Sequence, residues 1–156
     1  MVEIIIQAKM NLSRKFVQEQ VEQISKILSK KRIRNKTILK KNLVVVFVDQ
    51  TEMKKLNLQF RGKNKVTDIL SFDGDIDKRG KRSTLGELVL CAPQILKQAK
   101  EHKLTFEEEL IYMLLHGVLH LLGYDHEKSK SEAKLMFQLQ DQIFAQRAKY
   151  FKFHID

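Results

Sequence analysis

His116 and His120 stand four residues apart and His126 follows six later, so three of the chain's five histidines fall within one short segment. On a helix, a spacing of four places two imidazoles on one face, one turn apart and within reach of a common point. Gly123 then ends the helix. A glycine there lets the backbone turn back, so that His126 approaches the same point from the side. Three neutral nitrogen donors with no fourth candidate in the motif make a metal site with an open position, the arrangement of catalytic rather than structural zinc. One zinc ion per chain is the expectation, although imidazole also suits nickel, copper or iron.

This succession of helix, glycine turn and third histidine is similar to the zincin-type metal-binding helix. One position departs from the peptidases of that type. Where His-Glu-x-x-His supplies a glutamate as general base, this chain has Gly117, and ordinary metallopeptidase chemistry loses its base. Asp125, beside His126, can orient an imidazole, accept a proton or simply serve its loop, and the first of these is favoured.

The histidine helix must itself be buried. Thr105 and Glu108 form a capping-box pattern, Glu107 and Glu109 complement the helix dipole, and a nearly all-round apolar segment continues to Leu122. Upstream, Val2 to Lys9 opens with a β-branched run typical of a buried strand. Ser13 then stands as an N-cap before apolar residues at Phe16, Val17, Val21, Ile24, Ile27 and Leu28, a helical spacing. After the basic segment Lys30 to Lys41, Asn42 to Asp49 carries Leu-Val-Val-Val-Phe-Val, which reads as a central strand. Thr51 is the expected cap of a short helix to about Phe60, Arg61 to Val66 reads as a basic loop, and Thr67 to Phe72 as a third strand.

The charged connection from Asp73 to Ser83, with two glycines, has the composition of a mobile segment. Its spacing Asp73-x-Asp75-x-Asp77 suggests a calcium loop, but Lys78 and Thr84 occupy the positions that need glycine and glutamate. Leu85 to Ala92 is the fourth strand, and Pro93 sits in the first turn of a helix running to about Lys103. The last element, about Lys130 to Tyr150, gathers Ala133, Met136, Phe137, Leu139, Ile143 and Phe144 on one side of an amphipathic helix. Strands alternating with helices, then helices alone, predict an α/β or α+β fold. The expected architecture is one domain over residues 1–156, with a mixed sheet of about four strands packed in three layers with about five helices.

Composition narrows the class. With 43% hydrophobic and 31% charged residues the chain can bury a real core, which excludes a disordered tail. Cys91 is the single cysteine and lies in an apolar run, so no intrachain disulfide forms and the thiol reads as a small buried hydrophobe. The amino terminus lacks the basic and long apolar regions of a signal peptide, and the longest apolar run, Leu110 to Leu122, is too short to span a bilayer. The cytoplasm is the expected address. A net charge of +10 favours encounters with polyanions but does not by itself distinguish a nucleic-acid binder from a well-solvated, lysine-rich protein.

His116-Gly117-Val118-Leu119-His120-Leu121-Leu122-Gly123-Tyr124-Asp125-His126 closely resembles the signature of the YbeY family of bacterial endoribonucleases and ribosomal RNA maturation factors. A second block, from Leu56-Asn57 through Phe60-Arg61-Gly62-Lys63-Asn64-Lys65 to Thr67-Asp68-Ile69-Leu70-Ser71-Phe72, is similar to that family's segment around its functional arginine. Leu85-Gly86-Glu87-Leu88-Val89 resembles the strand that follows. With the order of elements, the resemblance covers nearly the whole chain. The departures are Phe60 where tyrosine is usual, Asn64 and Glu87 where aspartate is usual, Asp73 where proline often stands, and Gln140 where the last helix usually carries glutamate.

The resemblance implies zinc-dependent cleavage of single-stranded RNA during 16S ribosomal RNA maturation and ribosome quality control, with the small ribosomal subunit as partner. It makes Arg61 the candidate catalytic residue, because a planar guanidinium pairs with two phosphate oxygens as charge builds on them. Lys63, Lys65 and the basic run Lys78-Arg79-x-Lys81-Arg82 are candidates to track an RNA backbone. Two other functions fit the same residues: a metallohydrolase with another substrate such as a peptide, and an assembly factor whose metal is structural. Neither the nucleophile, the general base nor the oligomeric state follows from sequence.

Overall fold

Two parallel crossovers build the sheet. In the computed structural model, which describes residues 1–7 and 9–154 with side chains through 147, strand β1 (Val2–Ile6) pairs in parallel with β2 (Leu43–Val48), and β2 pairs in parallel with β4 (Gly86–Cys91). Strand β3 (Ile69–Asp73) lies antiparallel on the far side of β4, giving the order β1-β2-β4-β3. The β-branched first segment is thus a shorter strand than expected and occupies an edge, half-buried, while β2 is the central strand the sequence predicts.

Alternation along the strands sorts the core into two layers. Val45 and Phe47 of β2 stand opposite Leu88 and Leu90 of β4 and face the larger apolar cluster. Val46 and Val48 stand opposite Val89 and Cys91 and face the smaller one. Helix α2 (Gln50–Arg61) covers the smaller face with Met53 and Leu56, and the larger face is covered by α1 (Arg14–Ser29), α3 (Ala92–Glu101), α4 (Phe106–Leu121) and α5 (Lys130–His154). The result is the expected single-domain α+β arrangement, helices on both faces of a four-stranded mixed sheet. Cys91 is fully buried, and burial pushes its thiol pKa up, which keeps it unreactive.

The caps are mostly the ones the sequence offers. Ser13 accepts a hydrogen bond from the Phe16 N–H, and Thr105 and Glu108 form a complete capping box at the start of α4. Helix α2 differs: Asp49, not Thr51, accepts the Glu52 N–H, because the chain leaves the sheet right after Val48 and turns helical at once. Arg61 is therefore the last residue of α2 rather than the start of a loop, and Gly62 closes the helix at φ 68°.

The connection from 73 to 83 is a hydrogen-bonded hairpin. Ile76 bridges Arg82, and the Asp77 carboxylate accepts the Arg79 and Lys81 N–H groups, which holds its pKa below the usual carboxylate range. Arg82 reaches from this hairpin to donate to the carbonyls of Leu85 and Leu121, and so fastens it to the end of α4.

On α5 the buried stripe is Met136, Gln140, Ile143 and Arg147. Two of these four are polar, and each has a partner elsewhere: Arg147 donates to Gln20 of α1 at 2.6 Å, and Gln140 faces His116 at 3.1 Å. Among the described residues no helix is long and apolar enough to cross a membrane.

Candidate metal centre

Helix α4 carries two of the three histidines and packs against β3 and β4 of the sheet. A Cβ on Gly117 would come within 2.7 Å of the Leu88 side chain and 2.8 Å of Ile69, so glycine is what permits this approach. The position that bears the glutamate base in the peptidase pattern therefore faces the side-chain tips of Leu88 and Ile69 on the sheet. Helix α4 ends at the turn Leu122-Gly123, where Gly123 has φ 98°.

Residues far upstream hold that turn in place. Asn35, itself left-handed at φ 49°, donates its side-chain amide to the Leu122 carbonyl at 2.9 Å. Arg34 packs over the Tyr124 ring at 4.9 Å and forms a two-pronged pair with Glu132 of α5 at 2.6 and 2.8 Å. A weaker contact runs from Arg34 to the Gly123 carbonyl at 3.4 Å. The pairing draws the Glu132 pKa below its ordinary value. Asp125 closes the next turn by accepting the Glu127 N–H at 2.9 Å, and His126 sits inside that turn.

The outcome is convergence. One ligand nitrogen from each of His116, His120 and His126 lies within 4.8 Å of the other two, and the Nε2 atoms of His116 and His120 are 3.1 Å apart. Gln140 orders the first ring. Gln140 Oε1 lies 3.1 Å from His116 Nδ1, and an amide oxygen there favours the tautomer with the proton on Nδ1 and Nε2 as the lone-pair donor facing the cluster. Sequence reasoning gave Gln140 no role, and its glutamine-for-glutamate departure was the only signal there.

Burial disfavours protonation of the cluster. Desolvation, joined by the charges of the neighbouring histidines, lowers the His120 pKa to about 4, and desolvation lowers that of His116. These rings are neutral donors near pH 7. His126 Nδ1 is buried with no hydrogen-bond partner, so the cluster contains a polar atom that the protein itself does not satisfy. Neutral imidazoles around a common point, one of them unsatisfied, fit a divalent transition ion.

A pH dependence follows for the metal-free chain. Its folded state holds protons on His116 and His120 less tightly than the unfolded state, whose histidines titrate near ~6.5. The stability contribution is therefore complete above that value and is lost as pH falls through the window toward about 4. Thermal melting between pH 7 and 4 should show the midpoint dropping, and His120→Ala should flatten the drop. An equal drop in the variant would assign the effect to other groups.

The cluster opens onto a cleft of about 820 Å³. Arg61, Lys63 and Lys65 line it together with Asp68, residues of β3 and the three histidines. The Arg61 guanidinium is held in place: it donates to the Ser71 carbonyl at 2.9 Å and lies 5.6 Å from the centre of the Phe72 ring. Buried Asn57 braces the basic loop by donating to the Lys65 carbonyl. Asp125 also borders the cleft, and its charge acts on His120. Arg79 and Arg82 do not line the cleft. They serve the hairpin, and Lys78 and Lys81 of the same run do not line the cleft either. Asp68, which sequence reasoning left without a role, lies in the cleft and acts electrostatically on His116.

A family model described as Endoribonuclease YbeY matches residues 4–148. The chain belongs to the YbeY family. A YbeY endoribonuclease from Bdellovibrio bacteriovorus is 46% identical over 141 residues, covering 90% of this chain and 91% of that protein. One from Persephonella marina is 44% identical over 144 residues, covering 90% and 88%. The fold is similar to a solution structure from Thermotoga maritima, with a TM-score of 0.59 and 31% identity over 92% of this chain and 87% of that one. The histidine cluster and the Arg61 block both lie within the stretch that the YbeY family model matches.

Proposed function

We propose that the chain is a zinc-dependent endoribonuclease that cuts single-stranded RNA in the maturation of 16S ribosomal RNA and in ribosome quality control. The observation that carries this reading is a three-histidine cluster in a cleft bordered by Arg61, Lys63 and Lys65. His116, His120 and His126 would hold one metal ion per chain. When bound, such an ion supplies Lewis acidity toward a phosphoryl oxygen and lowers the pKa of water.

The chain's own residues do the rest. Lys63 and Lys65, on the loop braced by Asn57, attract the phosphates. Arg61, already oriented by the Ser71 carbonyl and the Phe72 ring, pairs with the phosphate as negative charge builds on it. Gln140 keeps His116 in the ligating tautomer. The peptide-substrate alternative is disfavoured by Gly117, which carries no side chain to act as the base that reaction needs.

The test couples metal analysis to RNA cleavage. About one equivalent of zinc should be found, chelation should abolish cleavage of a single-stranded RNA, and zinc should restore it. Cleavage that survives chelation, or metal-loaded protein that cuts no RNA, would defeat the reading, the second result favouring an assembly factor with a structural ion.

Two further outcomes are expected. Gln140→Met keeps the volume but removes the acceptor, and by competition with a chelator it should weaken zinc binding by about 10- to 100-fold. Gln140→Glu should retain it, and wild-type affinity in the methionine variant would show that the tautomer is set otherwise. Single-strand RNA binding should weaken with salt, the logarithmic slope being about −0.7 for each phosphate neutralised. Salt-independent binding would remove the basic wall from the mechanism.

A further inference from the structure

Among the described residues, Phe137 is the one that α5 contributes to the cleft. Met136 beside it takes the fully buried position on the stripe, while Phe137 keeps 37% of its surface open to solvent. Its ring centre lies 5.6 Å from that of His126, at an interplanar angle of 55°. Tyr112, Tyr124 and Phe72 also line the cleft, but Phe137 sets its ring directly beside a histidine of the metal-ligating cluster, where it offers an open face to a planar apolar partner.

The other wall says which partner. Arg61, Lys63 and Lys65, from the end of α2 and the loop after it, are suited to phosphates. In a nucleotide the base and the phosphate project from different sides of the sugar. A strand whose phosphates follow the basic wall can turn a base away from that wall, toward an aromatic face.

We propose that Phe137 is a stacking platform for an unpaired nucleobase adjoining the cut phosphate, and so a determinant of single-strand selectivity. The proposal rests on the RNA reading above and adds to it the residue that distinguishes strand states. A base in a duplex is already stacked and paired and cannot turn onto Phe137, whereas an unpaired base can. Base–aromatic contacts of this kind tolerate any sequence, since every base has a π-face.

The experiment uses the full chain loaded with zinc, and a short single-stranded RNA carrying 2-aminopurine at successive positions. Wild-type protein should quench the fluorophore at one position near the cut. Phe137→Leu, which keeps an apolar side chain against His126, should abolish that quenching and weaken single-strand binding by about fivefold or more, the effect typical of losing one base–aromatic stack. Duplex binding should not change, and Phe137→Tyr should behave as wild type. With an abasic site at the quenched position, wild type and Phe137→Leu should bind equally.

Wild-type affinity and quenching in Phe137→Leu would overturn the platform while leaving the RNA reading intact. A loss equally large on abasic RNA would also overturn it, by assigning Phe137 to the support of His126. If the wild type binds no single-stranded RNA even at low salt, the substrate reading fails, and the platform with it.

Discussion

Replacing His116, His120 or His126 singly with alanine is expected to leave each variant with far less than one metal ion per chain after dialysis, and to abolish cleavage. The three donors form the one cluster of metal-ligating type among the described residues, so no other group there can take over. Loss of an outer hydrogen-bond partner typically costs about 10- to 100-fold in metal affinity, and loss of the ligand atom itself must exceed that. The variants should fold, since each substitution removes a half-buried polar ring rather than a core side chain. Circular dichroism and elemental analysis together make the check. Full metal retention in all three variants would remove the site, whatever the RNA results.

Arg61→Ala is expected to behave in the opposite way, with normal metal content and folding but cleavage reduced on the order of 10²-fold or more. The side chain ends helix α2 on the other face of the sheet from the main core, is exposed, and touches no histidine in the described contacts. It has no part in holding a metal. Its hydrogen bond to the Ser71 carbonyl orients the guanidinium before substrate arrives, so little reorganisation is needed when charge develops on the phosphate. Substrate binding should change much less than turnover. Arg61→Lys should be a partial rescue only, because an ammonium supplies charge without the planar fork. A wild-type cleavage rate in Arg61→Ala, in preparations free of contaminating nuclease, would remove this residue from the chemistry and favour the assembly-factor alternative.

Local signals were the legible ones. The caps at Ser13 and Thr105, the stop at Gly123 and the alternation in β2 each depend on a few neighbouring residues, and each is found where the sequence puts it. Within the histidine cluster, the pairing of His116 with His120 is local, because a helical spacing of four determines it.

What sequence could not supply was set by distant contacts. The β-branched run of β1 has the composition of a central strand but lies at an edge, since strand order is decided by crossovers. Asp49 and Thr51 are both good cap residues, and the end of β2 chooses between them. Gln140 and Arg147 look like the polar side of α5. They are buried because His116 and Gln20 provide hydrogen-bonding partners from other elements. Arg34 and Asn35 sat in a basic segment without features, and nothing local marked them as the brace of the metal-site turn.

That brace has a consequence for the order in which the centre can come into being. His116 and His120 are neighbours as soon as one helix forms, whereas the turn that delivers His126 is held by residues 87 and 89 positions earlier in the chain. Short-range contacts form early in folding and long-range ones late. The two-donor helix is therefore expected to form before the third donor is held in place by the docking of the amino-terminal segment onto the end of α4. Completion of the centre thus reports completion of the tertiary fold.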